Sequence, residues 1–179
     1  MIALISITLI TIIGTLTGIT SGYLGGRFDQ WFQRFVEVIL AFPQLPLYLA
    51  LTTLIPVTAP SYVFLTFVIA VIAGLGWAQL SRGVRSKSMS MARIDYVRAA
   101  TAVGASDARI ITRHILPNVT SHVIVAITLG IPTIILLESF LGFLGFAVKP
   151  PLISWGLMLQ DAGTFSVIGS YPWILSPVG

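Results

Sequence analysis

Cysteine is absent and charge is scarce, with 9% of the 179 residues being Asp, Glu, Lys or Arg where an ordinary soluble domain carries roughly 25%. The first absence excludes disulfides, thiolate metal sites and cysteine nucleophiles. The second excludes a water-soluble globule, because ten basic and six acidic residues cannot coat a chain that is 56% hydrophobic. Also missing are a Gly-x-Ser-x-Gly elbow, a His-Glu-x-x-His pair and a Gly-x-x-x-x-Gly-Lys-Ser/Thr phosphate loop. Neither hydrolase chemistry nor ATP binding is therefore expected of this chain, which is not read as an enzyme. No His–Glu cluster points to a metal. A mean hydropathy of +0.96 places so much hydrocarbon in lipid. The formal charge of +4 reads as the bias of cytoplasmic loops, so no nucleic-acid partner is expected.

What remains is an all-α, polytopic membrane chain, taken as one transmembrane domain over 1–179. Residues 1–26 carry no charge, which exceeds the roughly 20 residues needed to cross the hydrocarbon. They form the first expected span. Met1-Ile2-Ala3-Leu4 supplies no basic start for a cleavable signal, so this segment is expected to stay in place. Gly14, Gly18, Gly22 and Gly26 recur every fourth residue on one helix face, where a second backbone can approach closely. A short amphipathic stretch with Arg27, Asp29, Arg34 and Glu37 follows. Residues 38–81 are again free of charge and long enough for two crossings, with Pro56 and Pro60 marking the turn between them. Pro43 and Pro46 are expected to kink the second span rather than end it. The third span is expected over 61–80, with Trp77 as an interfacial anchor. The fourth runs over 118–145, broken at Pro132 and carrying Glu138.

Residues 81–117 hold Arg82, Arg85, Lys87, Arg93, Arg98, Arg109 and Arg113 and are placed in the cytoplasm. Residues 146–171, with Lys149 as their basic residue, are placed outside, and both ends of the chain then face outwards. Within the basic loop, Tyr96, Ala99, Ala100 and Val103 share one side of a short helix before Gly104 interrupts it. Ser106 and Asp107 are good caps for a second short helix, whose Ile111, His114 and Ile115 face one way until Pro117 punctuates the return to the membrane. The segment 94–117 thus reads as helix, glycine hinge, helix. Such short helices are not stable alone in water, and a groove on a partner is the natural seat for them.

These residues resemble a known family. The run Ala99-Ala100-Thr101-Ala102-Val103-Gly104, followed by His114-Ile115-Leu116-Pro117, is similar to the EAA loop of ABC-importer permeases, and its flanks resemble the dipeptide, oligopeptide and nickel permeases in particular. Gly22-Tyr23-Leu24-Gly25-Gly26, Leu40-Ala41-Phe42-Pro43, residues 138–145, and Pro150-Pro151 with Ser154-Trp155-Gly156 agree in order and spacing. The resemblance implies a six-helix permease subunit, of which this chain holds helices two to five. It also implies a second permease subunit, two cytoplasmic ATPases that bind ATP and Mg, and an external solute-binding protein delivering a peptide-like solute. The setting it implies is a bacterial or archaeal plasma (inner) membrane. The loop, from Tyr96 and Arg98 through Pro117, would be the docking element for the ATPase. Arg98 stands where the family motif begins with an acid. The end of the chain, Pro172 to Gly179, resembles the opening of a further span, so a fragment is expected.

Glu138 is an acid within a span, costly by roughly 3 kcal/mol on insertion scales and so a candidate functional group. Hydrogen bonding across helices is the expected role. The competing reading is a proton-coupled secondary transporter in which Glu138 carries the proton. His122 is read as interfacial, and His114 as a packing or capping residue.

Overall fold

A computed structural model describes residues 1–56, 59–146 and 154–163. Its elements are α1 (Ile2–Leu24), α2 (Gly26–Ala41), α3 (Gln44–Thr52), α4 (Ser61–Ala92), α5 (Asp95–Ala102), α6 (Asp107–Ile110), α7 (Leu116–Leu141) and α8 (Trp155–Ala162). Short π-helical segments at Ile111–Ile115 and Gly142–Phe146 flank α7. Three helical stretches, Ile2–Leu24, Ser61–Ala92 and Asp107–Phe146, are long and apolar enough to cross a membrane. The pair α2 and α3, bent by 78°, supplies a fourth crossing if taken as one broken span. The protein is an all-α, multi-pass membrane protein.

Several boundaries differ from the sequence reading for identifiable reasons. Pro43 ends α2 instead of kinking it: Phe42 is extended (φ −79°, ψ 136°), the conformation forced on a residue before proline. Pro46 sits in the first turn of α3, where its missing N–H costs nothing. The helix after Ser61 continues through Arg82, Arg85 and Lys87 to Ala92. At 1.5 Å per residue it is about 48 Å long, well beyond about 30 Å of hydrocarbon, so its basic end stands clear of the apolar layer. Pro132 lies inside an unbroken α7. Pro117 does not stop the helix either. A proline ring clashes with the carbonyl four residues back and offers no donor; the preceding turn is widened, with the Leu116 N–H bonded to the Ile111 carbonyl, and the chain runs on as one helical stretch from Asp107 to Phe146.

The chain divides into two compact units, Met1–Ser6 with Leu45–Ile72 and Ile131–Gly179, and Ile7–Gln44 with Ala73–Gly130. In the second unit, α1 and α4 pack backbone against backbone. A Cβ added at Gly18 would lie 2.6 Å from the Ser81 carbonyl oxygen, one at Gly22 would lie 2.6 Å from that of Arg85, and one at Gly14 would lie 3.0 Å from that of Trp77. Thr17 Oγ1 donates to Ser81 Oγ at 3.0 Å beside this contact. Gly26, in contrast, lies past α1, opens α2 at φ +64° and faces no neighbour. Leu16, on the other side of α1, is 60% exposed.

Trp77 is buried, not an interfacial anchor. With Val36 and Ala78 it forms a core against which Phe32, Ile39 and Leu40 of α2 pack, its ring 5.8 Å from that of Phe32 and 6.3 Å from that of Phe35. His122 of α7 is half-buried, its Nε2 packed over Gly83 of α4, where a side chain would collide with it.

In the first unit, α8 meets the π-helical segment after α7 at Gly142 and Gly156, where neither position has room for a Cβ. Ser154 caps α8, its hydroxyl accepting from the Leu157 N–H at 3.2 Å.

Candidate functional site

The segment 94–117 lies within the second unit, between α4 and α7, and its shape follows from local backbone bonding. Helix α5 ends at Ala102 with Val103 as its C-cap, and Gly104 turns left-handed at φ +88°. The Ala105 N–H then bonds to the Ala100 carbonyl and the Gly104 N–H to the Thr101 carbonyl, each at 3.0 Å. These two bonds are the Schellman pattern, which satisfies the helix's last carbonyls and needs a glycine at the left-handed position. The chain reverses through Ala105 and Ser106 into α6. Ser106 occupies the N-cap position in extended conformation, though its side chain makes no capping bond. Asp107 is the first residue of α6, and its carboxylate accepts from the Tyr23 hydroxyl of α1 at 2.8 Å.

Helix α5 is anchored from below by Val97, 1% exposed, while Ile110, Ile115 and Val119 bury the following helix. The Tyr96 ring lies 5.9 Å from that of His114. Asn118 Nδ2 donates to the Tyr96 hydroxyl at 3.2 Å and to the His114 carbonyl at 2.6 Å. His114 is therefore a packing residue of the loop. The opposite side of α5 is open: Tyr96 is 44% and Val103 88% exposed, and Ala99 and Arg98 are exposed with them. Ala100 and Ile111 are half-buried, and Leu116 and Pro117 are exposed at the foot of α7. The loop thus presents an uncovered apolar strip on a backbone that its own bonds hold in one shape.

Elsewhere in the same unit the structure brings together residues that the sequence did not associate. The Arg85 guanidinium of α4 grips the Asp29 carboxylate with Nε and a terminal nitrogen, one on each oxygen. Ser21 Oγ of α1 donates to the same carboxylate, and Gln33 Nε2 donates to Ser21 Oγ at 3.3 Å. Asp29 and Arg85, with Gln33, Arg34 and Glu37, line an open groove of about 750 Å³. The side chains of Asp29 and Arg85 are 9% and 24% exposed, whereas the Arg34–Glu37 pair lies at the surface.

Glu138, in the first unit, is half-buried and hydrogen-bonded to the Ser154 side chain. Lys149, Pro150, Pro151 and the stretch from Pro172 to Gly179 lie outside the described residues.

Comparison with known proteins decides the family. Residues 14–176 match the binding-protein-dependent transport system inner membrane component family. The chain belongs to that family. It is 38% identical over 173 residues to the oligopeptide transport system permease protein OppC of Haemophilus influenzae, covering 97% of this chain and 52% of the relative. The Bacillus subtilis oligopeptide permease OppC is 35% identical over 164 residues, covering 92% of this chain and 51% of that protein. The dipeptide permease DppC of the same organism is also 35% identical, over 92% of this chain and 49% of its own length. The chain spans about half the length of the curated relatives it matches. Family membership favours the permease over the secondary-transporter reading, and the Glu138–Ser154 bond gives the half-buried acid a partner.

Proposed function

We propose that this chain acts in a permease subunit of an ATP-driven ABC importer for di- or oligopeptides, in a bacterial or archaeal inner membrane. It lines half of the pathway beside a second permease subunit and performs no catalysis. An external binding protein delivers the solute, and two cytoplasmic ATPases bind ATP and Mg and drive the cycle. The relatives named as oligopeptide and dipeptide permeases support the solute class. The observation that carries the coupling role is the open strip of α5, Tyr96 to Val103, on a loop whose shape is fixed from within. A short amphipathic helix of this kind seats in a groove on a partner. The residues that face or shape the contact are Tyr96, Arg98, Ala99, Ala100, Val103 and Gly104, with Asp107, Ile111, His114, Ile115, Leu116 and Pro117 holding the second leg.

Uptake by the complete importer in proteoliposomes tests this reading. Import of a labelled tripeptide should require ATP and the cognate ATPases and should persist when an uncoupler collapses the proton gradient. Uptake that needs the gradient and ignores ATP would overturn it.

A further inference from the structure

The amino-terminal helix is bonded to both legs of the loop. Towards the leg that enters it, Ser21 shares the Asp29 carboxylate with Arg85, about two turns before the end of α4. Towards the leg that leaves it, Tyr23 donates to Asp107 at the first residue of α6. Ser21 and Tyr23 are two residues apart on the last turn of α1. The glycine face of α1 makes this possible, since Gly18 and Gly22 let the α4 backbone approach until the Arg85 side chain can reach across.

We propose that Ser21, Tyr23, Asp29, Arg85 and Asp107 form a polar joint through which displacement of the loop reaches the membrane helices. The inference rests on the docking reading above. Its physical basis is directional. A two-point guanidinium–carboxylate contact fixes angle as well as distance, and the Asp29 side chain is only 9% exposed and accepts from Ser21 as well. The Tyr23 phenol is a rigid strut with few rotatable bonds, so motion of α6 is passed to the end of α1 rather than absorbed.

The test uses the complete importer with spin labels at the exposed Leu16 of α1 and Val125 of α7, and a cysteine at Val103 for cross-linking to the ATPase. A non-hydrolysable ATP analogue should change the label distance in the parent protein. Tyr23→Phe, which keeps the ring and removes one oxygen, should leave the Val103 cross-link intact and lower the ratio of shifted to unshifted molecules roughly tenfold. Asp107→Asn keeps an acceptor for the phenol and should retain most of the shift, whereas Asp107→Ala should lose it. Asp29→Asn should act in the same direction as Tyr23→Phe. A normal cross-link with an undiminished shift in Tyr23→Phe would overturn the joint and leave the docking reading standing. No cross-link in the parent importer would overturn both.

Discussion

Replacing Gly104 by valine isolates the backbone's contribution to the loop. A Cβ at this position meets nothing within 4 Å, so no steric clash with neighbours enters. The effect comes from φ +88° alone, a region that costs an L-residue about 1–2 kcal/mol and a β-branched one more. If that energy is drawn from the folded loop, the ratio of loops holding the Schellman turn to loops without it falls about 5- to 30-fold. Import by the complete complex, measured as initial rate at saturating ATP, should fall with it. Asparagine tolerates the left-handed region, so Gly104→Asn should recover most of the rate. Val and Asn variants that import equally well, or equally poorly, would refute the assignment of the hinge to backbone conformation.

Gly18→Leu and Gly22→Leu should each lower the thermal stability of the purified full-length protein in detergent, by about 1–3 kcal/mol or more, because their side chains enter the α4 backbone. Gly74→Ala, with open space around it and an ordinary helical φ, should be neutral or slightly stabilising, and a loss equal to that at Gly18 would count against the packing argument. Glu138→Gln should keep most ATP-dependent uptake, whereas Glu138→Leu should lose more, because it leaves the Ser154 hydroxyl without its carboxyl partner; complete loss in the Gln variant with normal assembly would favour a direct role for the charge. For topology, a cysteine at the exposed Ser106 should be shielded from an impermeant reagent in intact cells and one at the exposed Asp161 labelled, and the reverse pattern would invert the orientation.

Features set by local periodicity were legible in the sequence. The four-residue spacing of Gly14, Gly18, Gly22 and Gly26 predicts a close-packing face, and the first three lie against α4 while Gly26, past the end of α1, does not. The interruption at Gly104 follows from the same kind of reasoning, because a glycine after an apolar helical run is the usual left-handed stop. Features set by packing were not legible. Trp77 is of the residue type enriched at membrane interfaces and is buried in a core that α2 helps to build with Phe32 and Val36. Asp29 and Arg85 are 56 positions apart, with nothing in either neighbourhood to single out the partner. Both appeared as ordinary charges of amphipathic or basic segments. Prolines misled in both directions, since their effect depends on the turn before them: Pro43 ends a helix after an extended Phe42, and Pro117 is absorbed by a widened turn. Val97, the buried anchor of α5, carried the one available signal, an apolar residue off the Tyr96–Val103 strip.

The central claim, that the open strip of α5 seats on the ATPase, is tested most directly at Val103, the most exposed of its apolar side chains. A photo-reactive amino acid placed there in the assembled importer should cross-link to the ATPase subunit, and a cysteine there should resist a bulky maleimide until the ATPases are stripped away. A residue that reacts equally fast with and without the ATPases, and gives no cross-link to them, would contradict the account.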